Sequence, residues 1–513
     1  MKRNPLFWLS IALVLSLSSC SHLPDTTGGG GGGGGTTTGT TTLILTVTDT
    51  PPANTSVLSS PVSIGTLVLE GVVNDTVADP LVPLGTVASQ VDLVRLQSDS
   101  IFLPAKGHAG PYPAVNGNYR DLSATIAMNN LAYLNQTGGD ITEDSFGSQC
   151  HTNTICNFSP ANGFFGGTLT FPTNSPTNFM PVAITGGTIA ATIDLNQNAF
   201  VASPNGFLTI DFSQTNSASV VSLPHAGLPT GTLELTEDFI GTVTAVSGNT
   251  ITVQPQGSRL FGDPLPFIAT ADASTRFDGC ATATIACIQT NQTVSVDAAI
   301  KSDGSATLLE VDKLSGTTGD EIEVVIATID TTNQVFVMAV HNKLTATNST
   351  DTNFQNHIDL GQPIQVALGT GATFTVDTKG LPVPASNLSA FTGFSNFAPG
   401  QMVRVNVSST GFSTTSTPFI QVTASSITLR FSRLTGSATN VNATGALFNF
   451  DATTIPAFFG LTANPQVQVF TGFTNFDGAS DLSGVTSGDS VSIRALYLPN
   501  SAPPFFAAKV RKH

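Results

Sequence analysis

Three strand–turn–strand units in the second half of the chain constrain its fold more than any other feature. In each unit, a run of alternating apolar and polar residues leads through a short polar turn into a second run, at residues 241–253, 324–337 and 436–450. Alternation with a period of two is typical of a β-strand with one buried face. Two such runs joined by a short turn predict a hairpin. The sequence therefore predicts three hairpins.

Each hairpin is followed by a later partner strand. The residue before each partner strand suits a left-handed backbone conformation, which glycine and asparagine adopt most easily. A unit of about five strands fits a small closed barrel better than one turn of a solenoid. The three residues expected to have positive φ are Asn291, Gly400 and Gly488.

The second copy is longer than the other two, which indicates an insertion around residues 341–352 or 379–390. Residues 391–397 (Phe-Thr-Gly-Phe-Ser-Asn-Phe) return with one change at residues 470–476. This match indicates that the second and third copies are related.

The region from Leu43 to about residue 236 has a different pattern, in which many short apolar runs alternate with turn residues. The first run ends before Pro51-Pro52, which stop a strand because proline cannot donate to the ladder. Residues 91–96 form another run. Residues 124–134 could form a helix, but two central asparagines weaken it, so we predict two strands. Short strands with frequent turns are typical of a β-sandwich.

The composition agrees with strands joined by polar turns. Charged residues make up only 10% of the chain, compared with about 25% in an average soluble protein. The 33 Phe and many β-branched residues leave enough apolar side chains for several cores. The net charge of −16 argues against nucleic acid as a partner, because nucleic acids bind cationic surfaces.

The N-terminus predicts an exported precursor. Lys2 and Arg3 precede an apolar run from Leu6 to Leu17, shorter than the ~20 residues that span a bilayer. Such a run is typical of a cleavable signal. The segment Leu17-Ser18-Ser19-Cys20 resembles the lipobox of bacterial lipoproteins, which implies cleavage before Cys20 and lipid on its thiol. The alternative is an ordinary secretory signal followed by a chance cysteine.

Two features follow the lipobox. Ser21 is not Asp, and by resemblance to Gram-negative sorting rules this favours the outer membrane, with the body periplasmic or surface-exposed. The residues up to 42 are rich in Gly and Thr, which predicts a flexible tether.

The other four cysteines form two close pairs in the sequence. An exported chain meets an oxidising compartment, so we expect the disulfides Cys150–Cys156 and Cys280–Cys287. The alternative is a metal site built from Cys150, His151 and Cys156. It lacks a CxxC spacing and a second His pair.

Two stretches near the N-terminus carry a family resemblance. Residues 45–51 (Leu-Thr-Val-Thr-Asp-Thr-Pro) and 91–99 (Val-Asp-Leu-Val-Arg-Leu-Gln-Ser-Asp) resemble the N-terminal domain of an uncharacterised family of bacterial cell-surface lipoproteins. Thr50 stands where that family usually has Ala. The resemblance implies a transthyretin-like or immunoglobulin-like sandwich.

The Gly-Thr-Val-Thr-Ala-Val unit at residues 241–246 resembles a second domain of unknown function that often follows the first. Residues 277–280 and 286–289 match this companion, whereas Val324 departs from its expected Gly. The resemblance implies OB-like barrels and no established activity. The predicted organisation is a signal peptide at 1–19, lipidated Cys20 and the tether at 20–42, a β-sandwich at 43–236, and OB-like repeats at 237–320, 321–433 (with the insertion) and 434–513.

Three functional hypotheses follow. Serial β domains on a lipid tether favour a non-catalytic envelope protein with a structural, adhesive or glycan-binding role, since OB-type barrels can present a groove to oligosaccharides. A hydrolase is the second: catalytic Ser and His motifs are absent, but an Asp/Glu pair could form on folding. A calcium-stabilised module is the third, with ligands from the acidic turns at 272–278 and 477–481, which do not fit an EF-hand loop.

We therefore predict no enzyme, no catalytic residue, no metal ligand and no cofactor. The expected partners are the membrane, through the lipid, and a glycan or protein at the cell surface. The seven histidines are each isolated in the sequence and are interpreted as turn residues: His22, His108, His151, His225, His341, His357 and His513.

Lipidation gives the first testable prediction. Protein extracted from membranes should begin at Cys20 and carry diacylglycerol, because two buried acyl chains hold a protein that one chain would release. Intact-mass analysis checks this directly, and Cys20→Ala should move the protein to the soluble fraction. A mature N-terminus elsewhere, without lipid, would contradict the prediction.

Overall fold

β-Strands make up nearly all the secondary structure in the computed structural model of the chain, which confirms the predicted all-β class. Among the residues it describes, no helix is long and apolar enough to cross a membrane. The structure describes residues 40–50, 56–71, 81–102, 112–115, 119–128, 131–136, 138–142, 149–158, 165–168, 187–196, 200–202, 208–210, 218–222, 226–255, 266–301, 303–314, 320–344, 358–413 and 419–513.

The N-terminal region contains several antiparallel sheets and one parallel pair, β1 with β13. The two largest sheets run β16-β13-β1-β5, with β6 also on β1, and β12-β7-β3-β4; smaller sheets are β11-β8-β2, β10-β9 and β14-β15. The strands are β1 Thr40–Thr50, β2 Val57–Ser59, β3 Pro61–Gly71, β4 Leu81–Asp92, β5 Ile101–Phe102, β6 Tyr112–Val115, β7 Tyr119–Met128, β8 Leu131–Leu134, β9 Ile141–Thr142, β10 Gln149–Cys150, β11 Ile155–Phe158, β12 Phe165–Thr168, β13 Gly187–Asn196, β14 Phe200–Ala202, β15 Leu208–Ile210 and β16 Ala218–Ser222.

Two details of this region can be compared with the sequence. The two strands predicted within residues 124–134 are confirmed as β7 and β8. The single strand predicted over residues 91–96 is wrong. There β4 ends at Asp92, whose carboxylate accepts from the backbone N–H of Val94 at 3.0 Å and caps the short helix α1, Leu93–Leu96. This side-chain cap diverts the chain from the sheet.

Three closed sheets follow, which we call the first, second and third barrels. The first runs β19-β18-β17-β21-β22, closed by β19 on β22, with β20 outside on β22; the third has the same plan, and the second closes as β23-β24-β25-β27-β26. The strands are β17 Thr232–Ser247, β18 Thr250–Pro255, β19 Phe267–Thr270, β20 Arg276–Asp278, β21 Thr293–Lys301 and β22 Ala306–Lys313; β23 Glu321–Asp330, β24 Val335–Leu344, β25 Pro363–Val376, β26 Met402–Ser413 and β27 Ile420–Leu429; and β28 Phe431–Asn442, β29 Leu447–Phe450, β30 Gln466–Gln468, β31 Asn475–Asp477, β32 Ser490–Tyr497 and β33 Phe505–Lys512.

The three barrels hold their first strands in the same way. Backbone N–H groups of Asn291, Gly400 and Gly488 donate to equivalent carbonyls on β17, β23 and β28, those of Val243, Ile326 and Ala438. The positive φ predicted at the three donors is confirmed, at 67°, 88° and 99°. These hydrogen bonds define which residues of the three barrels are equivalent.

The repeated heptapeptide does not occupy equivalent positions. Residues 391–397 include the 3-10 helix Phe394–Asn396, six residues before the turn at Gly400, where the third barrel has the 3-10 helix Leu482–Gly484. Residues 470–476 instead run into β31. The two heptapeptides therefore do not mark structurally equivalent positions in the second and third barrels.

The segment between β25 and Phe394 is longer than its counterparts and contains the helix α2, Ala385–Ser389. Lys379, with a positive φ of 44°, lies at its start. This segment brings a cation from the second barrel to the side of the first, where the charged side chains described below collect.

The barrels differ in how far each shares its apolar core with a neighbouring barrel. The interior of the first barrel forms a cluster of its own, around Val243, Val296 and Val311. The core of the second barrel continues into Phe431 and Phe506 of the third. The second and third barrels therefore pack against each other through buried apolar side chains.

The turn glycines give a prediction with a built-in control. Gly400 and Gly488 are equivalent, and both have positive φ, so alanine strains either backbone by about 1–3 kcal/mol. A Cβ at Gly400 would also lie 2.3 Å from the ring of Phe459, whereas a Cβ at Gly488 meets nothing within 4 Å. Phe459 is itself buried.

Gly400→Ala should therefore lower the free energy of unfolding by about 1–3 kcal/mol more than Gly488→Ala, since overpacking adds to strain. Chemical denaturation followed by circular dichroism measures both. Equal losses would mean that Phe459 does not pack against this turn.

Candidate functional site

Much of the chain's small stock of charge is buried in one place. We call this group the ionic cluster. Removing an ion from water costs several kcal/mol unless the ion is paired. Each charged group of the cluster therefore needs a partner of opposite sign. Its acidic members are Asp99, Glu237, Asp238, Asp297, Glu310, Asp312, Glu323 and Asp477, and its basic members are Arg95, Lys379, Arg430, Arg433, Arg494, Lys509 and Arg511.

Asp238 lies at the centre of the ionic cluster. Its carboxylate accepts hydrogen bonds from Lys379 Nζ and from Arg433 Nη2, both at 2.7 Å. Burial on its own raises the pKa of Asp238, but the surrounding cations, Lys379 foremost, hold that pKa well below its usual range. The carboxylate is therefore ionised. Further guanidinium groups lie 3.7 Å away, those of Arg95, Arg430 and Arg494.

A β-bulge gives Asp238 this position. The register of β17 on β21 shifts between Thr236 and Phe239, so two residues face one on the partner strand. Asp238 has a positive φ of 49°, and its backbone N–H donates to Asp297 at 2.6 Å. The other bulged residue, Glu237, bonds Lys509 at 2.5 Å.

Equivalent positions in the first and third barrels carry opposite charges. Four acidic residues of the first barrel and four basic residues of the third lie at matching positions of the strand registers of the two barrels. Two of the pairs also contact each other: Asp238 with Arg433 at 2.7 Å, and Asp297 with Arg494 at 3.3 Å. Such contacts between equivalent residues indicate a local two-fold relation of the two barrels. The four pairs are Asp238 and Arg433, Asp297 and Arg494, Glu310 and Lys509, and Asp312 and Arg511.

The second barrel and the N-terminal region complete the network. Arg430, between β27 and β28, reaches Asp312 at 2.9 Å. Helix α1 and the turn after it supply Arg95, whose guanidinium lies 3.5 Å from Glu323, and Asp99, which pairs with Arg433 at 2.5 Å. All four parts of the described chain therefore meet at these ions.

One side of the ionic cluster opens to solvent as a cleft. Its walls come from the first and third barrels and from the Lys379–Leu381 segment of the second. Phe473 and Glu310 also line it. Because the remaining lining residues largely form equivalent pairs, the cleft lies on the local two-fold relation. These pairs are Arg276 and Asn475, Asp297 and Arg494, and Leu309 and Ala508.

The side chain of Phe473 is 55% exposed, and no other large apolar side chain among those the structure describes is exposed to this extent. Thr474, the next residue, donates to the carbonyl of Ala507, as Thr275 does to Leu308 at the equivalent place in the first barrel. The first barrel has the polar Ser274 where the third has Phe473. The equivalent turn of the first barrel therefore forms without an aromatic residue. The folding of this turn does not explain why the third barrel has Phe473 there.

Arg276 is held at the other side of the cleft. Its guanidinium pairs with Glu310 at 2.7 Å and with Asp278 at 3.2 Å, yet 39% of its side chain is exposed. Gly380 lies against it, and a Cβ there would be 2.2 Å from Nη1 of Arg276. The missing side chain at Gly380 lets the backbone fix the guanidinium in the cleft.

Glu310 has an unusual protonation equilibrium. Burial raises the pKa of Glu310 to about 8; Lys379 opposes this rise, while Asp297 and a hydrogen bond with Asp278 add to it. At neutral pH the cleft therefore holds a largely protonated carboxyl group.

The cysteines predicted as disulfides lie in reach of each other, with Cα atoms 5.5 Å apart for Cys150 and Cys156 and 5.8 Å for Cys280 and Cys287. Cys20 lies outside the described residues. Within the described ranges, no three His, Cys, Asp or Glu side chains are placed to hold a metal ion. In the acidic turn proposed for calcium at 477–481, the carboxylate of Asp477 pairs with Arg511 at 2.7 Å. The carboxylate of Asp481 accepts a hydrogen bond from the backbone N–H of Ser483 and caps the 3-10 helix there.

His341 is not the turn residue that the sequence suggested. It lies on β24 with its side chain fully buried and its Nδ1 3.2 Å from Asp92 Oδ2. The hydroxyl of Ser59 also bonds to Asp92, so a Ser, a His and an Asp meet here. The serine donates to the carboxylate and not to the imidazole, which is the wrong order for activating a nucleophile.

Comparison with known proteins concerns the first barrel. Residues 240–311 match a family model described as Domain of unknown function (DUF5666). The matched range runs from within β17 to within β22 and contains Arg276, Asp297 and Glu310 of the cleft. No curated protein matches the chain. The match brings no activity with it, so the chemistry of the site has to be argued from its own residues.

The raised pKa of Glu310 predicts a pH dependence. Between 4.5 and about 8, the unfolded chain releases this proton while the folded chain keeps it, so Glu310 lowers the stability progressively as pH rises through that window. Glu310→Gln carries no such proton. The Tm of the variant relative to wild type should therefore increase from pH 5 to pH 8, as measured by calorimetry.

A matched control is Asp303→Asn, because Asp303 is exposed and local hydrogen bonds from Ser305 lower its pKa. Its Tm difference from wild type should stay constant over the same pH range. Parallel curves for Glu310→Gln and wild type would contradict the prediction.

Proposed function

We propose that this protein is a non-catalytic, lipid-anchored protein of the cell envelope that binds a glycan in the cleft, and so has an adhesive or structural role. The lipobox-like segment ending at Cys20 and the Gly/Thr-rich sequence between it and strand β1 support the anchor, and Ser21 supports the outer membrane. The exposed ring of Phe473 in a cleft of polar and charged groups is the observation that carries the binding role. Sugar rings combine an apolar C–H face with hydroxyl groups, and both kinds of surface are matched there.

The state of the carboxylates supports binding without catalysis. Glu237 is paired with Lys509, Asp297 with Arg494, and Glu310 with Arg276. A general base or nucleophile needs a carboxylate that is available to substrate or water. Acidic groups that are committed to cations in this way serve structure instead.

A hydrolase is the second candidate, and one observation favours it. Glu310, with a pKa of about 8, lies directly across the β21–β22 ladder from Asp297. A carboxyl group with a raised pKa beside a second carboxyl group in one cleft is the pattern of glycoside hydrolysis.

The test uses the full mature chain made soluble by Cys20→Ala and a broad glycan array. Wild type should be retained by at least one glycan without releasing shortened products. Phe473→Ser, which copies the first barrel, should lose at least tenfold of the signal at unchanged Tm. Ala273→Ser, in the corresponding exposed turn of the first barrel, serves as the control and should bind normally.

Shortened glycan products, abolished by Glu310→Gln, would replace the binding role by hydrolysis. Retention by no glycan would overturn the proposed function.

A further inference from the structure

Resting on the proposed function, we infer that the ligand of the cleft is a neutral saccharide, with one pyranose face on Phe473 and adjacent hydroxyl groups on Arg276 and Asn475. Acidic glycans, by this inference, are excluded. The inference follows from the pairing of the ionisable groups in the lining, from the fixed donors and acceptors beside the aromatic ring, and from the comparison of the two equivalent barrels.

The charged and acidic groups that line the cleft are already paired with one another or with neighbours. Three cationic groups face three acidic groups, and each acid has a cationic partner within 3.3 Å. An ionic ligand would break one of these pairs without a replacement, which is costly where the pair is buried. The overall charge of −16 adds a field that repels anions. The cations are Arg276, Lys379 and Arg494, and the acids are Glu237, Asp297 and Glu310.

The polar groups that remain suit hydroxyls. A hydroxyl both donates and accepts, and the amide of Asn475 can do the same, whereas a guanidinium only donates. Arg276 is partly exposed but fixed by Glu310, Asp278 and the backbone at Gly380.

Comparing the first and third barrels distinguishes side chains that the fold requires from side chains that are available to a ligand. At the two equivalent turns the first barrel has Ser274 and the third has Phe473. Two residues later, the first barrel has Arg276 and the third has Asn475. The cleft therefore combines one aromatic platform with two different hydrogen-bonding groups. This asymmetry is what an asymmetric ligand such as a sugar ring requires.

The experiment uses the soluble mature chain and an array that carries each oligosaccharide in a neutral form and in a uronic-acid or sulfated form. Neutral forms should be retained, with signals that change less than twofold between 0.05 and 0.5 M NaCl, because no counterions are exchanged. Phe473→Ser and Asn475→Ala should each lower the signal at least tenfold. Phe473→Tyr, which keeps the ring, should bind within threefold of wild type.

Other outcomes separate the two proposals. Retention of acidic forms only, lost at 0.5 M NaCl and in Phe473→Ser, would overturn the neutral ligand but leave the glycan-binding function. Neutral retention that is unchanged in Phe473→Ser would place binding elsewhere and overturn this inference. Retention of neither form would overturn both.

Discussion

The burial of Asp238 is the constraint on which the rest of the structure depends. An ionised carboxylate that is 6% exposed is tolerable only if cations surround it, and the chain supplies them from helix α1, from the loop after β25 and from β28 and β32. Each of these segments is fixed in position by the same requirement. Because the first barrel has an apolar core of its own, it is the ions that set its place beside the other barrels.

Such a network contributes specificity more than strength. Replacing a buried ion pair by apolar residues is often neutral, whereas removing one partner costs about 3–5 kcal/mol. The exchange of acids in the first barrel for bases in the third at four equivalent positions means that two first barrels, or two third barrels, would repel each other. Opposite charges select the correct pair of barrels from three related units.

Strand pattern was sufficient to predict the class, the hairpins and the left-handed turns at Asn291, Gly400 and Gly488, because these depend on local sequence. The ionic cluster could not be predicted in this way. Alternation assigns charged strand residues such as Asp297 or Lys509 to solvent, and their burial depends on a second barrel with complementary charge. Register alignment of the copies does contain a signal, since Asp297 and Arg494 occupy the same position with opposite sign. The heptapeptide at 391–397 shows the opposite error, a sequence match without structural equivalence.

The order of the acidic and basic residues along the chain has a consequence for the proposed export. The acids of the first barrel are synthesised long before Arg494, Lys509 and Arg511 of the third. A nascent chain that has passed only the first barrel therefore carries unneutralised acids on a surface that must later be buried. Its complete assembly waits for the last strands, so during synthesis the body remains short of its final, tightly associated state. Under the proposed export, such a delay would suit translocation, because passage through a narrow channel requires a chain that has not yet folded.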